Sequence, residues 1–362
     1  LTKILSIGTA LPSFRHSQEE ILHFMQQVFD LDLASQRKLK YLYKNSGIST
    51  RYSVIPDYGR PMSEWKFFPA GESLEPFPSL ESRMNQYNRF AAALSVDAIR
   101  NCLSHTRTKP EDLTHLITVS CTGMSAPGLD LQVMDLMELS RSINRSSINF
   151  MGCYAALHGL KQAAAICKSD PEARVMVVCT ELCTLHFQKT PTIDNITASM
   201  LFADGSAAVL VANDESEKGV EVKGFYSEVI PKGKKDMSWE LSSSGFLMTL
   251  SGYVPELIET DFGPLLERAL MKYSLKYEDI DAWCIHPGGK RILQAVEKSL
   301  NLEPTALEAG YGVLDKYGNL SSPSVLFVLK SMLDRGAQGN ILTAAFGPGL
   351  TMETCWLEAA SR

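Results

Sequence analysis

Three residues of this chain pair a reactive side chain with a junction between two kinds of local structure. In SSINFMGCYAALHGLKQAAAI a short apolar stretch ends at Gly152, and Ala, Leu and Gly at helical spacing follow Cys153. A helix start carries unsatisfied N–H donors and roughly half a positive charge, and both favour a thiolate. Cys153 is therefore a candidate nucleophile, against the plainer reading of a buried structural cysteine. His286 closes an apolar run in AWCIHPGG, where Pro287, Gly288 and Gly289 leave little bulk around the ring. Its Nε2 could donate to an oxygen or pair with a thiolate; the plainer reading is a histidine satisfied by backbone. Asn319 stands in YGNLSSP, either as a cap for the helix opening at Pro323 or as a neutral amide aimed at a developing oxyanion. In AAFGPGLTMET, Gly347, Pro348 and Gly349 make either a tight hairpin or a place where backbone approaches a ligand closely.

The elements around these residues alternate. Apolar, β-rich runs occur at 3–8, 115–120, 147–151, 174–180, 206–212, 282–286 and 340–346. Amphipathic helical patterns occur near 17–29, 34–45, 87–104, 129–140, 155–168, 262–274, 289–300 and 323–335. RVMVVCT and ILTAAF are apolar nearly throughout, as strands covered on both faces are. A polar, partly aromatic segment over 53–86 reads as an irregular loop at a site mouth or interface. KPEDLTHLITVSCTG, from Lys109, resembles KYEDIDAWCIHPGG, from Lys276. The same offset sets ILTAAFG on RVMVVCT and Asn319 on Gly152. Three matches at one spacing point to two similar α/β halves, 1–218 and 219–362, packed about a pseudo-twofold axis. In such sheets functional groups gather beyond the carboxyl ends of strands, so Cys153, His286 and Asn319 could face a common centre.

Composition narrows the function. The chain has 362 residues, 45% hydrophobic and 21% charged, with net charge −6. That balance argues against a nucleic-acid or membrane-surface partner, and no apolar run reaches the ~18 residues of a membrane span. The opening LTKILSIGTALPS reads as a strand ending at Gly8 rather than as a secretory leader. Eight scattered cysteines without a CxxC pair suggest a reduced, cytoplasmic protein and no zinc. Most of them read as inert core residues, with Cys153 the one whose position stands out.

MGCYAALHGL, HPGG after an apolar strand, YGNLSSPSVLFVL and FGPGLTMET occur in this order, and LFADGSAAVLV lies between the first two. Together they resemble the type III polyketide synthases, the chalcone and stilbene synthase-like enzymes, over nearly the whole chain. The resemblance implies an α/β, thiolase-like fold of duplicated five-layered αβαβα architecture. It also implies a homodimer without metal or bound cofactor, acting on malonyl-CoA and a starter acyl-CoA. Cys153 would take the starter acyl group. His286 and Asn319 would bind the malonyl thioester carbonyl and stabilise the enolate left by decarboxylation. Phe202 would be the gate between coenzyme tunnel and cavity. Met248, Glu181, Cys183, His186, Ala198, Ser321, Gly288, Gly289, Gly347, Pro348 and Gly349 would contact substrate. Basic residues between Asp32 and Asp57 would meet the coenzyme phosphates, with Arg51 the best match, then Lys44 and Lys40.

The sequence departs from the plant pattern. Cys183 and His186 stand where plant enzymes carry small Thr residues, Ala198 replaces a Gly and Lys290 a Pro. AFGPG, with Ala345, replaces GFGPG, and Trp239 and Met248 replace Gly and Phe. These changes argue for a bacterial type and against a phenylpropanoid starter. They leave open whether a pyrone, resorcinol or phloroglucinol is formed. Two rival readings are a ketoacyl synthase that initiates fatty-acid synthesis and a non-catalytic thiolase-fold acyl-binding protein.

Overall fold

A computed structural model describes residues 1–71 and 73–360. The first part of the chain runs β1 (Lys3–Ala10), β2 (Phe14–Ser17), α1 (Gln18–Val28), α2 (Leu33–Lys44), β3 (Thr50–Ser53) and α3 (Leu80–Leu103). It continues β4 (His115–Ser120), α4 (Leu129–Leu136), β5 (Asn144–Asn149), α5 (Ala155–Ser169), β6 (Arg174–Leu182), α6 (Ile193–Leu201) and β7 (Asp204–Ala212). The rest is β8 (Val220–Val229), β9 (Met237–Ser242), β10 (Gly245–Leu250), α7 (Val254–Tyr273), β11 (Ala282–Ile285), α8 (Lys290–Leu300), α9 (Glu308–Tyr317), α10 (Ser324–Asp334), β12 (Gly339–Gly347) and β13 (Thr351–Ala359).

Nine strands are hydrogen-bonded in the order β11-β12-β13-β8-β1-β7-β6-β4-β5. Only two residue pairs, Lys3–Glu221 and Ile4–Val220, join β1 to β8. This thin seam divides a five-strand group from a four-strand group. Alternation along the strands then defines the layers. In β6, Val175, Val177 and Cys179 face an apolar core that also contains Ile341 and Ala345 of β12. That core holds α5 and α10, so two helices lie between the two groups of strands. The opposite faces pack outward. Met176 and Val178 meet α1 and α3, while Leu342 and Phe346 meet α7 and α8. The result is the α/β thiolase-like arrangement of five layers, αβαβα. The central helix can sit low on its sheet because α5 carries Gly159. A Cβ there would lie 2.7 Å from Val177 Cγ1.

The internal repeat has a local counterpart in the structure. Lys109 N–H donates to Asp112 at 2.8 Å, and Lys276 N–H donates to Asp279 at 2.7 Å. Each forms the same capped turn one step before a strand, β4 in one case and β11 in the other.

Some elements differ from the periodicity. The strand expected at 147–151 is β5, an edge strand with mostly exposed residues, and the apolar Phe150 and Met151 belong to the turn that follows. Neither α6 nor α9 is announced by its sequence, since IDNITASML mixes polar and β-branched residues and EAGYGVLDKY contains two glycines. The hairpin β9–β10 and strands β8 and β13 also lack a clean apolar run. Among its described residues the segment after Ser53 has little regular structure before α3, and Tyr58 lines a small cavity of about 50 Å³. Tyr58, Trp65 and Phe68 pack on Phe24 at ring distances of 4.9–5.3 Å and form part of the outer core. Asp57 fixes its path by accepting backbone N–H bonds from Lys66, Phe67 and Phe68.

Candidate active site

Cys153, His286 and Asn319 line one cavity of about 520 Å³ at the carboxyl ends of the strands. Cys153 lies in a single 3-10 turn, Gly152–Tyr154, between β5 and α5. Gly152 has φ +76°, and a Cβ there would lie 2.3 Å from Pro348 Cδ. A Cβ on Gly347 would likewise meet the Tyr154 ring at 2.5 Å. Thus Gly347–Pro348–Gly349 is a tight hairpin between β12 and β13 and also the wall pressed against the nucleophile turn.

His286 follows β11. Its backbone N–H donates to Ala344 O at 2.8 Å, and its carbonyl accepts from Gly288 N–H at 2.9 Å. The ring is buried, yet among the described residues neither Nδ1 nor Nε2 has a hydrogen-bond partner. Buried polar groups are rarely left so, and this ring lines the cavity. Asn319 is the opposite case. Its Oδ1 accepts from Ser321 N–H at 2.8 Å and Ser324 Oγ at 3.5 Å. Its Nδ2 donates to Gly288 O at 3.1 Å. Two donors on Oδ1 fix the amide's orientation and leave the second Nδ2 hydrogen as a donor into the cavity.

The thiol does not have the lowered pKa that a helix start suggests. Burial pushes Cys153 up to about 11, against the opposing pull of Ser321 and Asn319. Burial alone pushes His286 down to about 3. The site therefore pairs a neutral thiol with a neutral imidazole, and desolvation, which disfavours both charged forms, is the reason. Ser321 Oγ lies 3.5 Å from Cys153 Sγ and 3.6 Å from Cys121 Sγ.

The remaining residues sort by position. Phe202, Met248, Cys183, Ser321, Gly288, Gly289 and Pro348 line the main cavity, while Gly347 and Gly349 stand behind Pro348 and do not. His186 and Ala198 line a smaller neighbouring cavity of about 50 Å³ that shares Cys183, Phe202, Trp239 and Met248 with the first. His186 is held there as a neutral ring, its pKa pushed down to about 3 by burial. Nε2 donates to Thr122 O at 2.7 Å, Nδ1 accepts from Phe246 N–H at 3.1 Å, and the ring stacks on Phe246 at 4.2 Å. Glu181 lines neither cavity. It is fully buried and accepts from Cys121 N–H at 3.0 Å, Thr122 Oγ1 at 2.8 Å and Ser322 Oγ at 2.6 Å. Its carboxyl is spent on holding the loop after β4 to the turn before α10.

The residues expected to meet the coenzyme phosphates do not line the main cavity. Arg51 is 3% exposed, with its guanidinium on main-chain carbonyls. Lys40 and Lys44 are on the solvent side of α2 and do not line the cavity, whereas Tyr41, Leu42 and Asn45 do. The basic residues that line it are Lys290 and Arg291, at the start of α8. Sequence reasoning treated Lys290 only as a departure from a Pro. Cys121, one of the scattered cysteines with no motif around it, also lines the cavity. The internal repeat holds the missing signal, because Cys121 corresponds to Gly288, two residues after His286.

Comparison with known proteins agrees with this geometry. Residues 1–215 match the N-terminal domain model of chalcone and stilbene synthases, and residues 221–361 match the C-terminal one. The chain belongs to the chalcone and stilbene synthase family, the type III polyketide synthases, which condense coenzyme A thioesters and need no further cofactor. It is 32% identical to a putative chalcone synthase of Bacillus subtilis over 97% of this chain and 96% of that protein. It is also 32% identical to a probable polyketide synthase 1 of Dictyostelium discoideum over 98% of this chain, which spans 11% of that protein's length. Among solved structures, PKS-I from the brown alga Ectocarpus siliculosus superposes with a TM-score of 0.93 at 28% identity, over 99% of this chain and 98% of that one. Family membership removes the fatty-acid initiation reading. Among the described residues no helix is long and apolar enough to cross a membrane.

Proposed function

We propose that this chain loads a starter acyl group from coenzyme A onto Cys153 and extends it by iterative decarboxylative Claisen condensation with malonyl-CoA. The observation that carries this reading is the unpaired, buried His286 ring lining the same cavity as the Cys153 thiol and the oriented Asn319 amide.

The chemistry follows from the protonation states. With both groups neutral at rest, the Cys153 proton passes to a ring nitrogen of His286 as the thiolate attacks the starter thioester. Coenzyme A leaves as its thiol once it regains that proton, and His286 is neutral again. Loss of CO2 from malonyl-CoA then builds negative charge on the thioester oxygen. His286 N–H and the free Nδ2 hydrogen of Asn319 stabilise it without a carboxylic acid that would quench the enolate. The enolate carbon attacks the acyl-Cys153 carbonyl, and the thiolate is expelled. Lys290 and Arg291 at the amino end of α8 supply positive charge at the lining for the coenzyme's phosphates. Cyclisation to a pyrone, resorcinol or phloroglucinol ends the sequence. The halves 1–218 and 219–362 are read as products of one duplication, and the enzyme as a cytoplasmic homodimer without nucleic-acid or membrane partners.

Incubation of the enzyme with labelled malonyl-CoA and a panel of starters tests the proposal. Cys153→Ala should abolish product while leaving the fold intact, and full product formation by that variant would remove Cys153 from the reaction.

A further inference from the structure

The gate and the oxyanion donor meet at the carboxyl end of α6. A helix leaves its last carbonyls without intrahelical donors; in α6 these belong to Ser199, Met200 and Leu201, followed by the cap residue Phe202. Each is taken by a distant part of the chain. Arg51 Nη1 donates to Ser199 O and to Phe202 O, both at 2.7 Å. Gln18 Nε2 donates to Met200 O at 2.9 Å. Asn319 N–H donates to Leu201 O at 2.8 Å, and Ala203 N–H returns to Asn319 O at 2.9 Å. Phe202 and Asn319 are thereby neighbours in a short parallel bridge.

Arg51 secures this corner from below. Its Nε donates to Gln18 Oε1 at 2.9 Å, so the two side chains that cap α6 also brace each other. A buried guanidinium bonded to carbonyls, with no carboxylate directly on it, is a costly arrangement. The planar fork suits it, because one guanidinium can span several fixed acceptors and its charge complements a helix carboxyl end. The Arg51 stem also fills the space beside Gly318, where a Cβ would lie 2.8 Å from Arg51 Cγ. Gly318 has φ +70° and is the left-handed step that delivers Asn319.

We propose that Arg51 is a positioning residue for the condensation: by clasping the carboxyl end of α6, it holds the Phe202 ring and the Asn319 carboxamide in one register at the cavity. This rests on the reading of Asn319 as the enolate's hydrogen-bond donor. It replaces the role of phosphate ligand that the sequence suggests for Arg51.

The test is steady-state CO2 release from malonyl-CoA by Arg51→Met and Arg51→Lys, with the rate of Cys153 alkylation and the melting temperature measured alongside. Misplacing a catalytic donor by about 1 Å costs about 10²-fold in rate, so Arg51→Met should lower kcat on that scale. KM for malonyl-CoA and the alkylation rate should stay nearly unchanged, and Arg51→Lys should recover part of the loss. A raised KM with kcat retained would mean a coenzyme contact and overturn the proposal. A parallel loss of kcat, alkylation and folded protein in both variants would mean a purely structural role and overturn it as well. Gln18→Leu removes the Met200 O donor while keeping the Arg51 charge. It should reproduce the kcat-selective loss at smaller size, and an unchanged kcat would count against the clasp. Failure of the underlying reading shows separately, as undiminished CO2 release by Asn319→Ala.

Discussion

The regions before and after residue 219 build the same device and equip it differently. In each, a left-handed glycine immediately precedes a catalytic candidate: Gly152, with φ +76°, before Cys153, and Gly318, with φ +70°, before Asn319. A helix of the central layer follows each, α5 in one region and α10 in the other. The approach to the glycine differs. In the first region it is the edge strand β5, and in the second it is α9. The first region's turn presents a half-buried thiol against Pro348, while the second presents a carboxamide held by Ser321, Ser324 and Gly288, on a residue whose main chain is bonded on both sides to the end of α6. The corresponding loops after β4 and β11 diverge too. One carries Cys121 on the Glu181 network, and the other the unpartnered His286. A nucleophile needs room for an acyl group to arrive and leave, whereas donors for an enolate need a fixed position. In the proposed mechanism the two regions divide these demands between them.

The strongest way to break this comparison is to remove the two proposed enolate donors. Removing one preorganised donor typically costs roughly 3–4 kcal/mol of barrier, so His286→Ala and Asn319→Ala should each slow CO2 release by about 10²–10³-fold, measured as labelled CO2. Normal release by both would show that the second region does not hold the enolate.

A second test concerns the thiol in its resting state. With Cys153 raised to about 11 and His286 lowered to about 3, neutral forms persist across the neutral range. Thiolate fraction, and with it the rate of iodoacetamide alkylation at Cys153, should climb with pH through 9 and 10. A plateau below pH 7 would show that the helix end and an imidazolium outweigh burial.

The glycines sharpen the symmetry. A Cβ forces the left-handed conformation to cost about 1–2 kcal/mol for an L-residue, before the contacts with Pro348 and Arg51 are counted. Gly152→Ala and Gly318→Ala should each lower the melting temperature, the first with slowed acyl loading and the second with slowed CO2 release. Loss of the same step in both would contradict the division of labour. The smallest effect is expected at Cys167, buried in the central layer. Cys167→Ala should leave kcat unchanged and cost about 1 kcal/mol in denaturant unfolding.

Much of the fold was legible in the chain because its signals are local. Apolar periodicity marks β6, β12, α5 and α10, and the matching Lys109 and Lys276 segments fold into the same capped turn before a strand. α6 escaped because its stability comes from the tertiary caps supplied by Arg51, Gln18 and Asn319 rather than from its own residues. Glu181 and Arg51 carry charges, and a charge in a family motif suggests contact with substrate. Both prove to be interior fasteners, which only their burial reveals. The basic lining moved from α2 to Lys290 and Arg291 for the same reason. A sequence shows which side chains are cationic, and not which way the surface beneath them faces.

The amino-acid sequence by itself determined the residue types at three strand and helix junctions, the repeat, and the family motifs, and these are enough to specify the reaction class. What the tertiary structure decided is which groups share a cavity, which are buried with partners, and which are buried without. Cys121 and Ser321, 3.6 Å apart at their side-chain tips, are separated by 200 positions along the chain. Spacing encodes structure within a turn or a strand. Desolvation and pairing depend on atoms brought together from distant parts of the chain, so the protonation of the thiol and the bonds from Arg51 to the end of α6 exist only in the folded molecule.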